Sequence, residues 1–241
     1  MFDITNSIYR EAKNSPVSYN KSYYERNRQN EDRIALGFYY RLAKSFVKSG
    51  KVLDYGCGTG HLIKRFGKGY ETWAYDISEY ALQCVKMLAP RANTCTGLDS
   101  LKEIRFDLII SLHVLEHIEK PFETLLFFNE ILSKKGALIY AVPNLSGIGQ
   151  KMKKTEWSGY NDPTHVSLFP AEKWLSLTKS AGFKILKVGT DGLWDVPYLP
   201  LVPKFIQKLI FYSAPAMQVI SGRLILPVSC GESLIIVAQK V

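Results

Sequence analysis

Gly56-Cys57-Gly58-Thr59-Gly60 carries glycines on alternate positions, with one carboxylate, Asp54, just ahead of them and a second, Asp76, at the end of the next apolar run. Lys51–Tyr55 reads as a buried parallel strand, the glycines as the turn after it, and Ala74-Tyr75-Asp76 as the end of a second strand. Such a layout holds a nucleoside-like ligand at the carboxyl ends of two neighbouring strands. A dinucleotide site requires G-x-G-x-x-G/A, and His61 stands where the last glycine would be. A carboxylate at position 54 would repel a diphosphate but suits a ligand with an ammonium or sulfonium group. S-adenosylmethionine (SAM) carries both. Asp76 is then expected to accept hydrogen bonds from the ribose hydroxyls. Asp54, Gly56, Cys57, Gly58, Asp76 and Ile77 are the residues of this segment expected to touch the cofactor.

Methyl transfer from a sulfonium is an in-line displacement, so alignment does much of the work. A hydroxyl acceptor must also lose a proton, and histidine is the favoured base near neutral pH. The chain has four histidines, His61, His113, His117 and His165. His61, in the first turn after the glycine loop, reads as a residue flanking the cofactor. His113, Glu116 and His117 form H-x-x-E-H, and on a helix those offsets put all three side chains on one face. The string also matches the inverzincin zinc signature, which makes a metallopeptidase the competing reading. His165 lies in Asn161-Asp162-Pro163-Thr164-His165, where it either meets the acceptor as a base or caps the local turn with Asp162. His165, His113 and His117 are the candidate catalytic residues.

The elements that must position these groups follow from periodicity. Apolar residues at helical spacing predict a helix within Glu31–Lys48. Strands are predicted at Lys51–Tyr55, Glu71–Tyr75, Asn93–Thr96, Phe106–Leu112, Ala137–Val142, Phe183–Val188 and Ser233–Gln239. Helices are expected from near Gly60, from an N-cap at Ser78 through Leu88, over Pro121–Leu132 and over Pro170–Ala181, the last stopped by Gly182. The alternation implies a doubly wound, mostly parallel sheet in a single domain spanning 1–241. Residues 1–50 read as an N-terminal helical cap and 51–142 as the cofactor-binding core. Two long stretches, 143–169 and 190–231, leave the sheet where ligands bind in open α/β folds and read as walls of the acceptor site. The second contains Phe205–Phe211, an amphipathic helix candidate that is a packed helix, a lid or a membrane contact. Tyr23 and Tyr24 are placed to cover the methionine end of the cofactor, and Trp157, Tyr160 and Trp194 to line an apolar acceptor pocket.

The glycine segment resembles motif I of the class I SAM-dependent methyltransferases. Phe106-Asp-Leu-Ile-Ile-Ser-Leu-His-Val-Leu-Glu-His-Ile118 is similar to the fourth strand and following turn of that family, and Gly136-Ala-Leu-Ile-Tyr-Ala-Val-Pro-Asn144 to its fifth strand. Asp162-Pro-Thr-His-Val-Ser-Leu-Phe169 and the next helix resemble the small-molecule branch that includes the quinone-biosynthesis O-methyltransferases. Together these cover roughly residues 50–190. The resemblance implies a Rossmann-like seven-stranded sheet, mostly parallel, with helices on both faces and an antiparallel last strand beside the fifth. It implies SAM and its product S-adenosylhomocysteine (SAH) as ligands. It places Asp99 near adenine and Ser111 and Leu112 against the cofactor through their backbone. It also turns the Asp-Pro-x-His element toward the active site. The position of H-x-x-E-H directly after a buried strand argues against the metallopeptidase. In the quinone enzymes, positions similar to 113, 116 and 117 carry metal ligands. His113 stands where an acid would be, which disfavours magnesium and would suit zinc, and no metal is predicted. Ser111-Leu-His-Val114 replaces the Asn/Asp-Pro-Pro-aromatic motif of amino-methylating DNA enzymes, which argues against adenine or cytosine as acceptor. The implied activity is methyl transfer to a small molecule, at an oxygen of a glycan, a lipid-linked sugar or a quinone-like ring. An RNA or protein methyltransferase and a cofactor-binding protein without turnover are the alternatives.

Composition fits one globular domain: 241 residues, 46% hydrophobic and 22% charged. The net charge of +9 is spread along the chain, with one tight cluster at Lys151–Lys154, and no appended RNA-binding module is visible. Nucleic acid is therefore not an expected partner, while contact with an anionic membrane stays open. The amino terminus lacks a signal layout, and Cys57, Cys84, Cys95 and Cys230 show no C-x-x-C spacing. They read as free thiols, so a cytoplasmic location is expected. Oligomeric state is not determined by anything in the sequence.

Overall fold

The apolar runs pair into one sheet. In the computed structural model, which describes residues 19–26 and 29–241, the strands are β1 (Gly50–Tyr55), β2 (Tyr70–Tyr75), β3 (Asn93–Cys95), β4 (Phe106–Leu112), β5 (Leu132–Pro143), β6 (Phe183–Thr190) and β7 (Ser233–Lys240). Their order is β3-β2-β1-β4-β5-β7-β6. β1 pairs in parallel with both β2 and β4, β4 with β5, and β2 with β3. β7 lies antiparallel between β5 and β6, as the family resemblance implies. The strand order reverses between β1 and β4, so the crevice for a ligand opens at their carboxyl ends, beside Tyr55 and Leu112.

The helices are α1 (Lys21–Arg26), α2 (Ile34–Phe46), α3 (Glu79–Leu88), α4 (Asp99–Lys102), α5 (Pro121–Ile131), α6 (Ile148–Lys153), α7 (Ser158–Asn161), α8 (Ala171–Ser180) and α9 (Lys204–Ser221). Side chains alternate across the sheet. Phe106 and Ile109 of β4 join Leu53, Phe127, Phe128 and Trp174 on one face. Leu108 and Ile110 join Phe38, Leu42, Val52 and Val237 on the other. Both faces are covered, which is why β4 and β5 are almost wholly apolar. The predicted caps are present: the Ser78 hydroxyl accepts from the Ala81 N–H at 3.2 Å, and Gly182 follows α8 at φ +85°.

Three elements differ from expectation. No α-helix follows the glycine loop; only a 3-10 turn, Ile63–Arg65, fits before β2. Gly67 and Gly69 break the apolar pattern there after a single turn. β5 starts at Leu132, not near Ala137, because Leu132 pairs with Phe106 across a register shift. The Phe205–Phe211 segment belongs to a longer helix, α9, which runs through Pro215. No helix among the described residues is long and apolar enough to cross a membrane.

Candidate active site

The glycine loop is held open by its own backbone. Gly56 and Cys57 donate to the carbonyl of Tyr75 at 2.8 and 3.0 Å, which pins the turn to the end of β2. Gly56 sits at φ +75°, and a Cβ there would collide with the side chain of Val114. The turn after β4 therefore lies directly against the glycine loop. Gly56→Ala is expected to cost about 3 kcal/mol, combining left-handed strain with overpacking. Gly58→Ala is expected to cost less, because the nearest atoms to a Cβ at Gly58 lie 3.7 Å away. Urea unfolding of the two variants checks the difference.

Asp76 and Asp54 flank this loop, both buried. Asp76 accepts from the N–H groups of Gly58 and Ser78, each at 2.9 Å. Burial raises its pKa, and those backbone bonds oppose the rise. Asp54 lies on β1 with Oδ2 bonded to no described residue. Burial and the neighbouring Asp76 push it up to about 8. A buried carboxyl oxygen without a partner at the mouth of the crevice fits a cationic ligand group. Cys57 is a buried thiol raised by desolvation, and Ile77 packs on the core. Ser111 is fully buried with an unbonded hydroxyl, and Leu112 beside it is half-buried at the end of β4.

An N-terminal segment closes over the loop. The Tyr24 hydroxyl donates to Asp76 at 3.4 Å, and Ser78 donates to the carbonyl of Tyr19 at 2.5 Å. Thr59 donates to the carbonyl of Gln29 at 2.6 Å. His61 bonds the carbonyl of Asn30 at 2.9 Å, so it anchors this segment. Tyr24 thus meets Asp76, the carboxylate expected at the ribose. Asp99 does not join the set: its side chain is 81% exposed and pairs with Lys102 at 2.8 Å.

The three remaining histidines gather around Glu116, although H-x-x-E-H does not lie on a helix. Leu115–His117 is a 3-10 turn and His113 stands before it in the left-handed region at φ +56°. The side chains consequently spread around Glu116 without sharing a face. His113 Nδ1 lies 3.1 Å from Glu116 Oε1, with His113 44% exposed and Glu116 fully buried. Burial would raise Glu116, but the bond and charge of His113 hold it below its usual value. His113 Nε2 faces the Ser233 hydroxyl at 3.3 Å. Ser233 donates its N–H and hydroxyl to Asp191, each at 2.8 Å.

His117 and His165 stand on the other side, their rings 4.8 Å apart. Thr164 gives its hydroxyl proton to Asp162 at 2.5 Å, so its oxygen accepts from His117 Nδ1 at 2.7 Å. His165 Nδ1 donates to the carbonyl of Gly159 at 2.7 Å. Nε2 of His117 has no hydrogen-bond partner among the described residues, and Nε2 of His165 lies 3.9 Å from Asp162 Oδ2. One donor atom from each of Glu116, His117 and His165 lies within 4.8 Å of the others. These three could hold a first-row divalent ion. The set implied by the quinone enzymes, at 113, 116 and 117, does not form here, because His113 turns away toward Ser233.

Asp191 and Ser233 carried no motif. Their signal was position alone: the end of β6 and the start of antiparallel β7 lie at the same edge of the sheet as the end of β4. The insertions join here too. Glu232 accepts from the Trp157 indole and the Tyr198 hydroxyl. Trp157 is buried and packs edge-on against Tyr160. Trp194 stacks at an angle on Tyr212 of α9.

A methyltransferase domain family model matches residues 24–188. An uncharacterised protein of Methanocaldococcus jannaschii is 27% identical over 174 residues, covering 70% of this chain and 71% of that protein. A ubiquinone biosynthesis O-methyltransferase of Alkalilimnicola ehrlichii is 28% identical over 107 residues, covering 41% of this chain and 43% of that enzyme. Among solved structures, a SAM-dependent methyltransferase from Archaeoglobus fulgidus is 20% identical with a TM-score of 0.62, covering 92% of this chain and 100% of that one. The plantazolicin methyltransferase BamL, in complex with a triazolic desmethylPZN analog and SAH, is 16% identical with a TM-score of 0.62, covering 98% and 97%. At these identities the structural likeness shows the fold.

Proposed function

From the premise that the chain belongs to the methyltransferase domain family and is a class I SAM-dependent enzyme, we propose that it methylates an oxygen of a small-molecule acceptor, with His113 as the base. The observation that carries this reading is the placement of His113. It is half-exposed at the carboxyl end of β4, its Nδ1 is held by buried Glu116, and its turn abuts the glycine loop through Val114.

SAM, when bound, supplies an electrophilic methyl group on a sulfonium. Asp54 meets its cationic amino-acid end, and Asp76, with the Gly58 N–H fixing its orientation, meets the ribose. In the ligand-free protein Nδ1–H of His113 donates to Glu116 and Nε2–H to Ser233, and Glu116 favours the charged ring. His113 acts as the base once Nε2 has released that proton and the acceptor hydroxyl has replaced Ser233 there, and Glu116 stabilises the imidazolium that re-forms. Tyr160 and Trp194 wall the acceptor side, with buried Trp157 packed behind Tyr160. The partial likeness to a ubiquinone O-methyltransferase favours a hydroxyl on a quinone-like ring, a glycan or a lipid-linked sugar. No step requires a metal at Glu116, His117 and His165.

Calorimetric titration with SAM, SAH and NAD, followed by an acceptor panel of phenols, glycans, RNA and protein, tests the reading. Micromolar binding of the first two ligands and methylation of a hydroxyl compound is the expected result. Turnover of RNA or protein alone would replace the acceptor assignment, and binding without any turnover would leave a cofactor-binding protein.

A further inference from the structure

The helix α9 is packed the wrong way round for a surface helix. Its buried residues include two glutamines, and most of its large apolar residues face outward, Phe211 and Val219 being partly buried against the domain. Gln207 Nε2 donates to the carbonyls of Leu199 and Val202 at 2.8 and 2.6 Å, and its Oε1 accepts from the N–H of Tyr198 at 2.7 Å. Gln218 Nε2 donates to the carbonyl of Thr190 at 2.7 Å, and its Oε1 accepts from Ile225 N–H at 2.8 Å. These amides satisfy the backbone of the loops on either side, which is why polar residues hold the inner face. Arg41 of α2 fixes the far end by donating from Nε to the Val219 carbonyl at 3.1 Å.

The outward face carries Phe205, Leu209, Ile210, Met217 and Ile220, with Leu201 in the preceding turn; Leu209 is 73% exposed, Ile220 78% and Leu201 98%. Spacings of three, four and their sums make this one continuous stripe along the helix. Contiguous exposed apolar surface of this kind marks an interaction site.

We propose that this face docks on an anionic lipid bilayer, with α9 lying flat in the interface. Charge selects the occupant. From residue 196 to residue 231 the chain has no Asp or Glu, and its only charged residues are Lys204, Lys208 and Arg223. Lys151 and Lys154 extend the basic surface beside it, while Lys153 between them pairs with Asp195 and sits 5.2 Å above the Tyr198 ring. Apolar residues flanked by cations, with no acid among them, match the acyl boundary and headgroups of an anionic leaflet. A second copy of the chain fits poorly: an isologous contact would set these cations against their own counterparts with no acid to pair them. α9 does not cross the bilayer, since its inner face is committed to the domain. Tyr198 packs edge-on against Phe211 and also bonds Glu232, so the docked face connects to the walls of the acceptor site.

The inference is independent of the methyl-transfer reading, and its test uses no SAM. The full chain is sedimented with vesicles of phosphatidylcholine alone and with phosphatidylglycerol added, at low and high salt. Binding to the anionic vesicles, weakened by salt and reduced at least tenfold in the Leu209→Glu/Ile210→Glu double variant, is the expected result. Both substitutions are exposed, and an unchanged melting temperature confirms the fold. Any of three results would overturn the proposal. The first is equal binding by the double variant. The second is a dimer in light scattering that the double variant dissociates, without vesicle binding. The third is a monomer that binds no vesicle, which means the stripe is covered within the chain.

Discussion

Asp54→Asn is expected to abolish SAM binding and, at the same time, to raise the melting temperature of the ligand-free protein. Both effects come from the same buried oxygen. Oδ2 of Asp54 has no described partner, and burial together with Asp76 pushes the carboxyl up to about 8 from an ordinary value of 3.8. The folded state therefore keeps a proton that the unfolded chain has lost. In that window the native state binds more protons, so stability falls as pH rises from about 4 to about 8. Asparagine removes that penalty, and the gain in melting temperature should be several degrees at pH 8 and near zero at pH 4. The cofactor supplies the missing counter-charge. Removing one partner of a buried ion pair costs about 3–5 kcal/mol, a loss of affinity of at least a hundredfold. Because Asp54 must ionise to pair, SAM affinity should rise with pH across the same window, with one proton released on binding. Calorimetry in buffers of different ionisation enthalpy measures that proton. Wild-type affinity in the asparagine variant would remove Asp54 from the binding site.

The second large effect is at His113. His113→Asn is expected to lower turnover about 10²–10⁴-fold, the usual contribution of a positioned base, while the Kd for SAM stays within a factor of about three. Asparagine is chosen because it tolerates the left-handed backbone at φ +56°. Alanine there would mix a backbone penalty with loss of the imidazole. The pair of readouts separates a base from a structural residue: collapse of the turn would disturb the glycine loop through Val114 and weaken SAM binding as well. Full turnover in the asparagine variant would assign proton removal elsewhere. His165 is the next candidate, since its Nδ1 is held by the Gly159 carbonyl and its Nε2 lies no nearer than 3.9 Å to Asp162.

The strand–glycine turn–strand frame of the expected cofactor site was legible from residues alone, because it is one continuous stretch. Strand, glycine turn and second strand are local, and both carboxylates sit at strand ends where the period of the sheet puts them. β4 was expected over Phe106–Leu112 and is found there, since a strand buried on both faces shows as an uninterrupted apolar run. The stretch after Gly60 misled because it holds apolar residues at helical spacing for one turn only. The paired glycines at 67 and 69 then end it as a 3-10 turn.

What the sequence by itself determined was the ligand class and the strand that presents each carboxylate, through local spacing and charge. What only the tertiary structure decided was the division of labour among the histidines and the direction in which α9 faces. The left-handed backbone at His113 turns it toward Ser233 and Asp191, on β7 and the end of β6, and away from His117. His117 meets His165 across a loop that returns from the far end of β5. For α9, the apolar pattern suits packing on the domain or contact with a bilayer equally well. The choice follows the loop carbonyls and amides that Gln207 and Gln218 satisfy. Buried backbone polar groups must be paired, and that requirement, set by distant segments, outweighed the burial of the helix's own hydrophobic stripe.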